Sequence, residues 1–286
     1  MHDDGINALT KRGIWIQGNA APHGGPVPRY YIPETVASLS LSYSAAISPQ
    51  GAETGRTISV RENVVEVLTK APAGITLAQR SNFAPPTAWV YEDLWRKKSI
   101  GILSGEPFSF EDERNLLLDW LRPAPGELLL DIGCSSGFYA RSLQQAEPGS
   151  RVVAIDFSSS MLKDARKRAK ADGCAIYLLR ADAQALPFAA QSADALCCGG
   201  SLNEFAQPER ALKEARRVLK PGGRFFMMHL LKARTTGGRL LQKAAGGGGI
   251  HFWTEEESRH LFKETGFRIA REKQVGIVMF SLLEPA

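Results

Sequence analysis

The chain has 286 residues, 44% hydrophobic, 23% charged and 8% aromatic, which excludes disorder throughout and provides apolar material for one large core or two modest ones. No run of about 20 apolar residues occurs, and the N-terminus lacks a basic start followed by an apolar core and a cleavage site, so neither a membrane span nor a secretory signal is expected. Four cysteines without CxxC spacing (Cys134, Cys174, Cys197, Cys198) fit neither a disulfide framework nor a zinc ribbon; reduced thiols in a cytoplasmic protein with no metal site are expected. The net charge of +5 names no partner.

Residues 1–55 hold Gly, Pro, Ser and Asn punctuators, such as His23-Gly24-Gly25-Pro26, without a sustained period. They read as a poorly ordered extension whose removal leaves stability nearly unchanged. Residues 56–122 read as a helical cap and linker. Val60, Val64, Val65, Val67 and Leu68 predict a short helix over 59–68, Ser81 to Thr87 a connector, Trp89 to Lys98 a second helical piece, and Phe110 to Leu121 an amphipathic helix. From residue 123 to 286, short apolar runs alternate with amphipathic stretches, the rhythm of βαβ units in a doubly wound α/β fold.

The predicted strands are Leu128–Asp131, Val152–Asp156, Ile176–Leu179, Ala195–Cys198 and Phe225–Met228. The basic cluster Lys163, Arg166, Lys167, Arg168 and Lys170 alternates with Met161, Leu162, Ala165 and Ala169 at helical spacing and has no interleaved aromatics. It reads as a solvated helix face, and no nucleic-acid partner is expected. Ala211, Leu212, Ala215, Val218 and Leu219 mark another helix, stopped by Pro221-Gly222-Gly223. Thr254 and Glu257 have capping-box spacing, and Gly266 closes that last helix before two final strands.

The first of these strands runs into Asp131-Ile132-Gly133-Cys134-Ser135-Ser136-Gly137. Small residues here serve either close approach of a ligand or packing of helix on sheet. The spacing is not GxGxxG, and Asp131, two positions before Gly133, would repel a diphosphate but suits a ligand carrying ammonium and sulfonium. Asp156 at the end of the second strand can accept bonds from ribose hydroxyls, and Asp182 after the third can accept one from an adenine amine. Carboxyl ends of a parallel sheet line one crevice, so the three are expected to converge.

These pieces resemble the class I S-adenosylmethionine-dependent methyltransferases, in particular the ubiquinone/menaquinone-biosynthesis branch with a type 11 methyltransferase domain. The resemblance runs over about residues 89–282 and rests on Asp131 to Gly137, Asp156-Phe-Ser-Ser-Ser-Met161, Arg180-Ala-Asp182-Ala-Gln-Ala-Leu-Pro187, Ser192-Ala-Asp194, Arg217 to Gly223 and Phe252-Trp-Thr-Glu with Gly266-Phe. It implies a Rossmann-like seven-stranded sheet of order 3-2-1-4-5-7-6 with the seventh strand antiparallel. It also implies S-adenosylmethionine as cofactor. The loop with Asp131, Gly133, Ser135 and Gly137 would contact the methionine part, Asp156 the ribose, Phe157 and Met161 the adenine surroundings, and Asp182 with Ala183 the adenine edge; Gly200 completes the expected set. Ser135 departs from the family, which usually has Gly there.

In-line methyl transfer needs positioning more than a fixed triad. A carbon or oxygen nucleophile still benefits from a base, and Glu204, His229 and His251 follow strands four and five; Glu204 and then His229 are the catalytic candidates, with Asn203 placed to orient a substrate oxygen. Cys197 and Cys198, inside an apolar strand, read as packing. Tyr139 is open between core and site. Residues 232–250, between glycine pairs, read as a cover with Leu240 and Leu241 toward an apolar small-molecule acceptor, quinone-like or otherwise lipid-like, with transient membrane-surface contact. The alternative is a non-catalytic cofactor-binding or interaction protein on the same fold.

Overall fold

The computed structural model describes residues 14–17, 29–32, 45–47, 58–61, 64–67, 108–246 and 249–286; the connector and helix expected between 81 and 98 lie outside them. Within the stretch expected to be a poorly ordered extension, β1 (Ile14–Gln17) and β2 (Arg29–Ile32) pair antiparallel. Ile14 and Ile16 are buried in the main core, which corrects the expectation that this stretch buries no apolar face.

The helix expected over 59–68 is instead a β-hairpin of β4 (Ile58–Arg61) and β5 (Val64–Glu66), flanked by β3 (Ala45–Ile47). Three β-branched valines at 60, 64 and 65 favour extended backbone. The decisive partner is remote in sequence: β5 runs parallel to β8 (Tyr177–Arg180), with Val64 opposite Leu178 and Glu66 opposite Arg180. A helix would have left that sheet edge unpaired.

The main sheet adds β6 (Leu128–Ile132), β7 (Arg151–Asp156), β9 (Ala193–Gly199), β10 (Leu219–Leu230), β11 (Phe267–Val275) and β12 (Val278–Pro285). Its order is β11-β12-β10-β9-β6-β7-β8-β5-β4-β3. The seven strands from β6 onward follow the expected 3-2-1-4-5-7-6, with β12 antiparallel to both neighbours; the hairpin and β3 enlarge the sheet to ten. β6 is buried along its whole length, as strands covered on both faces must be.

Helices α1 (Phe110–Leu121), α2 (Phe138–Ala146) and α3 (Ser159–Ala171) cover one face. α1 opens on a capping box between Ser109 and Asp112, and its Trp120 stands edge-on to Phe226 at 5.7 Å. It therefore packs with the domain rather than in a separate cap. α3 buries Met161, Leu162, Ala165 and Ala169 and leaves Lys163, Lys167 and Lys170 exposed, while Arg166 and Arg168 are half-buried. On the opposite face lie α4 (Pro208–Val218) and α6 (Glu255–Glu264), the latter capped by Thr254 and Glu257 as expected. Between them α5 (Thr236–Gly246) follows β10.

Candidate functional site

Beyond β6 the backbone takes left-handed turns at Gly133 (φ +68°), Ser135 (φ +50°) and Gly137 (φ +76°) before α2 begins. A β-carbon at Gly133 would lie 2.2 Å from Ser201 Oγ. That hydroxyl donates to Gly133 O at 3.0 Å, so glycine is required for both the turn and the approach. Gly137 has the other duty left open by its sequence, packing, since a β-carbon there would meet Ala165 at 3.3 Å. Ser135 holds a conformation that costs a side-chain-bearing residue about 1–2 kcal/mol, and its hydroxyl meets Met161 Sδ at 3.5 Å.

The strain at Ser135 secures Asp156. The Ser135 N–H donates to Asp156 Oδ2 at 2.9 Å, and the Ser158 N–H to Oδ1 at 2.8 Å. Burial pushes the Asp156 carboxyl up to about 6, against the pull of the Ser158, Ser135 and Phe157 amides. A carboxylate has about four acceptor positions, so beside the three amides there is room for a hydroxyl donor from the cleft.

That cleft opens at the carboxyl ends of the central strands, where sheets of this kind bind their ligands. Six of the ten predicted cofactor residues line it: Gly133, Ser135, Asp156, Phe157, Met161 and Ala183. Asp131, Gly137, Asp182 and Gly200 do not. Buried Asp131 accepts the Ala140 N–H at 3.0 Å and so anchors the first turn of α2. Asp182 accepts the backbone and side-chain N–H groups of Gln184. Gly200 turns the chain at φ +92° and donates to Met228 O. The convergence expected of three carboxylates thus reduces to Asp156.

Ile155, Ala181, Gly199, Ser201 and Phe205 also line the cleft and were not singled out from sequence. The repeated Gly199-Gly200 after a buried strand was the available signal for Ser201, because a close backbone approach there mirrors the one at Gly133.

The two catalytic candidates part company. Glu204 stands on the cleft wall. His229 is fully buried inside β10, edge-on to Phe262 at 5.7 Å, with neither ring nitrogen hydrogen-bonded. Desolvation lowers its pKa to about 3, so it is a neutral core residue. β10 continues through Leu230 and bridges on to Trp253, which places His229 within the sheet rather than above it.

Asn203 also has a different task from the one expected. Its amide donates to Leu230 O (3.0 Å) and His251 O (2.6 Å) and accepts from Leu230 N (2.8 Å), while its own carbonyl takes the His251 N–H at 2.7 Å. One side chain thereby ties the Glu204 turn to both ends of the 232–250 segment. Tyr139 belongs to the core: its hydroxyl donates to buried Glu113 of α1. Cys197 and Cys198 are buried free thiols, and burial pushes Cys198 up to about 12.

Residues 130–227 match the family model described as a methyltransferase domain. The chain is 39% identical over 117 residues to the ubiquinone/menaquinone biosynthesis C-methyltransferase UbiE of Paracoccus denitrificans, covering 40% of this chain and 47% of the relative. Residues 130–227 are thus similar to a methyltransferase domain. A demethylmenaquinone methyltransferase of Thermus thermophilus is 41% identical over 108 residues, covering 38% of this chain and 49% of that protein; the chain thus spans about half the length of these curated relatives. The fold recurs in a SAM-dependent methyltransferase from Aquifex aeolicus, with a TM-score of 0.55 at 21% identity over 70% of this chain and 97% of that one.

The cleft fits the cofactor of such a domain. Gly133 leaves its floor free of a β-carbon, Asp156 keeps room for a hydroxyl donor, and Ile155, Phe157 and Met161 give an apolar wall for a flat base.

Proposed function

We propose that the chain transfers a methyl group from S-adenosylmethionine to carbon or oxygen of a small, largely apolar acceptor. The observation that carries this reading is the meeting of Asp156, Gly133 and Glu204 on the walls of one cleft. S-adenosylmethionine, when bound, supplies a methyl group activated by its sulfonium for in-line displacement. Asp156 holds ribose hydroxyls, the backbone of Gly133 and Ser135 sets how deeply the cofactor enters, and Glu204 takes the proton that the acceptor's hydroxyl or carbon loses as its new bond to methyl forms. Phe205, beside Glu204, gives the acceptor an apolar contact. The quinone-biosynthesis relatives support an acceptor of that character. Four buried free cysteines support a reducing compartment such as the cytoplasm.

The test is transfer of isotopically labelled methyl from S-adenosylmethionine into a whole-cell metabolite extract. A labelled apolar product is expected, and Glu204→Gln should cut its formation by about a hundredfold, the usual scale for removing a general base, while S-adenosylhomocysteine affinity is unchanged. Tight cofactor binding without any labelled product would replace this reading with the non-catalytic alternative, for which the strained Ser135 is the favouring observation.

A further inference from the structure

Leu240 is the one large hydrophobic side chain exposed among the described residues, at 71%. It sits on α5, which follows β10 after five residues. The contacts of α5 fix its orientation. Gln242 accepts the Ala233 N–H at 2.7 Å and donates to Leu231 O at 2.9 Å, so this edge of the helix is held to the protein. At about 100° per residue, Thr236, Arg239, Leu240 and Lys243 share one face turned away from Gln242, with Leu240 the most nearly opposite it, and all four are exposed. Leu240 therefore points to solvent, which corrects the expectation that it closes over the acceptor.

The charge around this leucine has one sign. No acidic residue occurs between Glu214 and Glu255. Lys232 and Arg234 at the base of the segment are paired with Glu257 and Glu255, but Arg239 and Lys243 make no ion pair among the described residues. An exposed leucine between two unneutralised cations has apolar and electrostatic affinity for the same kind of surface. No helix among the described residues is long and apolar enough to cross a membrane, so contact through this face would be peripheral.

We propose that the outer face of α5 docks on an anionic lipid surface, with Leu240 entering the headgroup boundary and Arg239 and Lys243 facing lipid phosphates. A bilayer is favoured over nucleic acid because the patch offers an aliphatic side chain and no exposed aromatic for base stacking. The inference rests on the helix alone and holds whatever the methyl acceptor is.

The test is cosedimentation of the full chain with mixed phosphatidylglycerol/phosphatidylcholine vesicles and with pure phosphatidylcholine vesicles. Preferential binding to the anionic vesicles, weakening with salt, is expected. Leu240→Asp should lower partitioning by about tenfold, the scale of losing one buried leucine. Arg239→Glu with Lys243→Glu should lower it by at least about twentyfold, since each cation near such a surface is worth about 1 kcal/mol. These outward positions leave the melting temperature unchanged, which separates lost docking from lost folding. Binding that survives both variants but is abolished by Lys163→Glu with Lys167→Glu on α3 would overturn the assignment. So would absence of vesicle binding by the native chain, or a Leu240-dependent dimer in sedimentation without lipid binding.

Discussion

The two walls of the cleft are built on different principles. The cofactor wall comes from the ends of β6, β7 and β8, where a backbone turn and its own amides hold Asp156. The opposite wall, with Ser201, Glu204 and Phe205, hangs on side chains, above all the three side-chain hydrogen bonds of Asn203. A backbone-built wall persists through most substitutions, whereas a side-chain-built wall can be remade by changing one residue. The acceptor side of this fold is therefore the side free to diverge.

The largest effect expected lies beneath that second wall. His229 is neutral in the folded chain, with its pKa lowered from 6.5 to about 3, while the unfolded chain protonates near 6.5. The unfolded state binds more protons between those values, so stability is complete above pH 6.5 and is lost as pH falls through that window, by roughly 4–5 kcal/mol at pH 3. The raised Asp156 carboxyl acts in the opposite sense over part of this range, so the His229 contribution is read as the difference between native and His229→Phe stability in denaturant unfolding, which should shift in favour of the variant as pH falls. An unchanged pH profile in the variant would mean that the acid sensitivity originates elsewhere.

Next in size, Asn203→Ala strips partners from Leu230 and His251 and should cost about 2–4 kcal/mol, read as a lower melting temperature. Amide exchange should quicken in 201–205 and 230–253 while remaining slow in β6 and β7. Uniform loosening of both walls would break the contrast between them.

On the cofactor wall, Asp156→Ala should weaken S-adenosylhomocysteine by roughly 1.5–3 kcal/mol in calorimetry, and Asp164→Ala, which loses only an ion pair to Arg168 on α3, should leave it unchanged. Affinity of the native chain should rise as pH climbs through about 6, where Asp156 ionises, and the Asp156 variant should lack that rise. Without ligand the sign reverses for folding: the raised carboxyl pKa means that stability falls as pH rises through the same value. The smallest effect belongs to Ser135→Gly, which relieves a φ of +50° at the cost of unfolded-state entropy. A net gain of about 0.5–1 kcal/mol, with tighter S-adenosylhomocysteine, would identify Ser135 as the strained point of the loop.

Features whose causes are close in sequence were legible there. The capping box at Thr254, the buried stripe of α3 and the glycine turn after β6 each follow from residues within a few positions. Features decided at a distance were not. Val60 to Val67 has the composition of several short elements, and only the free edge of β8 selects the hairpin. His229 was expected at the cleft because the strand seemed to end at Met228; its continuation through Leu230 buries the imidazole against Phe262. Asp131 and Asp156 both stand at strand ends, yet one carboxylate anchors a helix and the other faces the cleft. That distinction depends on the local path of each turn.

The pairing of β5 with β8 has a consequence for how the domain can be divided. Glu66 pairs with Arg180 at 3.0 Å, and Arg180 donates to Phe157 O beside the cleft. A polypeptide cut to begin at residue 123 would keep the region that matches the methyltransferase family. It would nevertheless expose the edge of Tyr177–Arg180, and bare strand edges recruit other strands. The N-terminal hairpin thus shields this edge of the sheet, occupying the seam along which truncated copies would join one another.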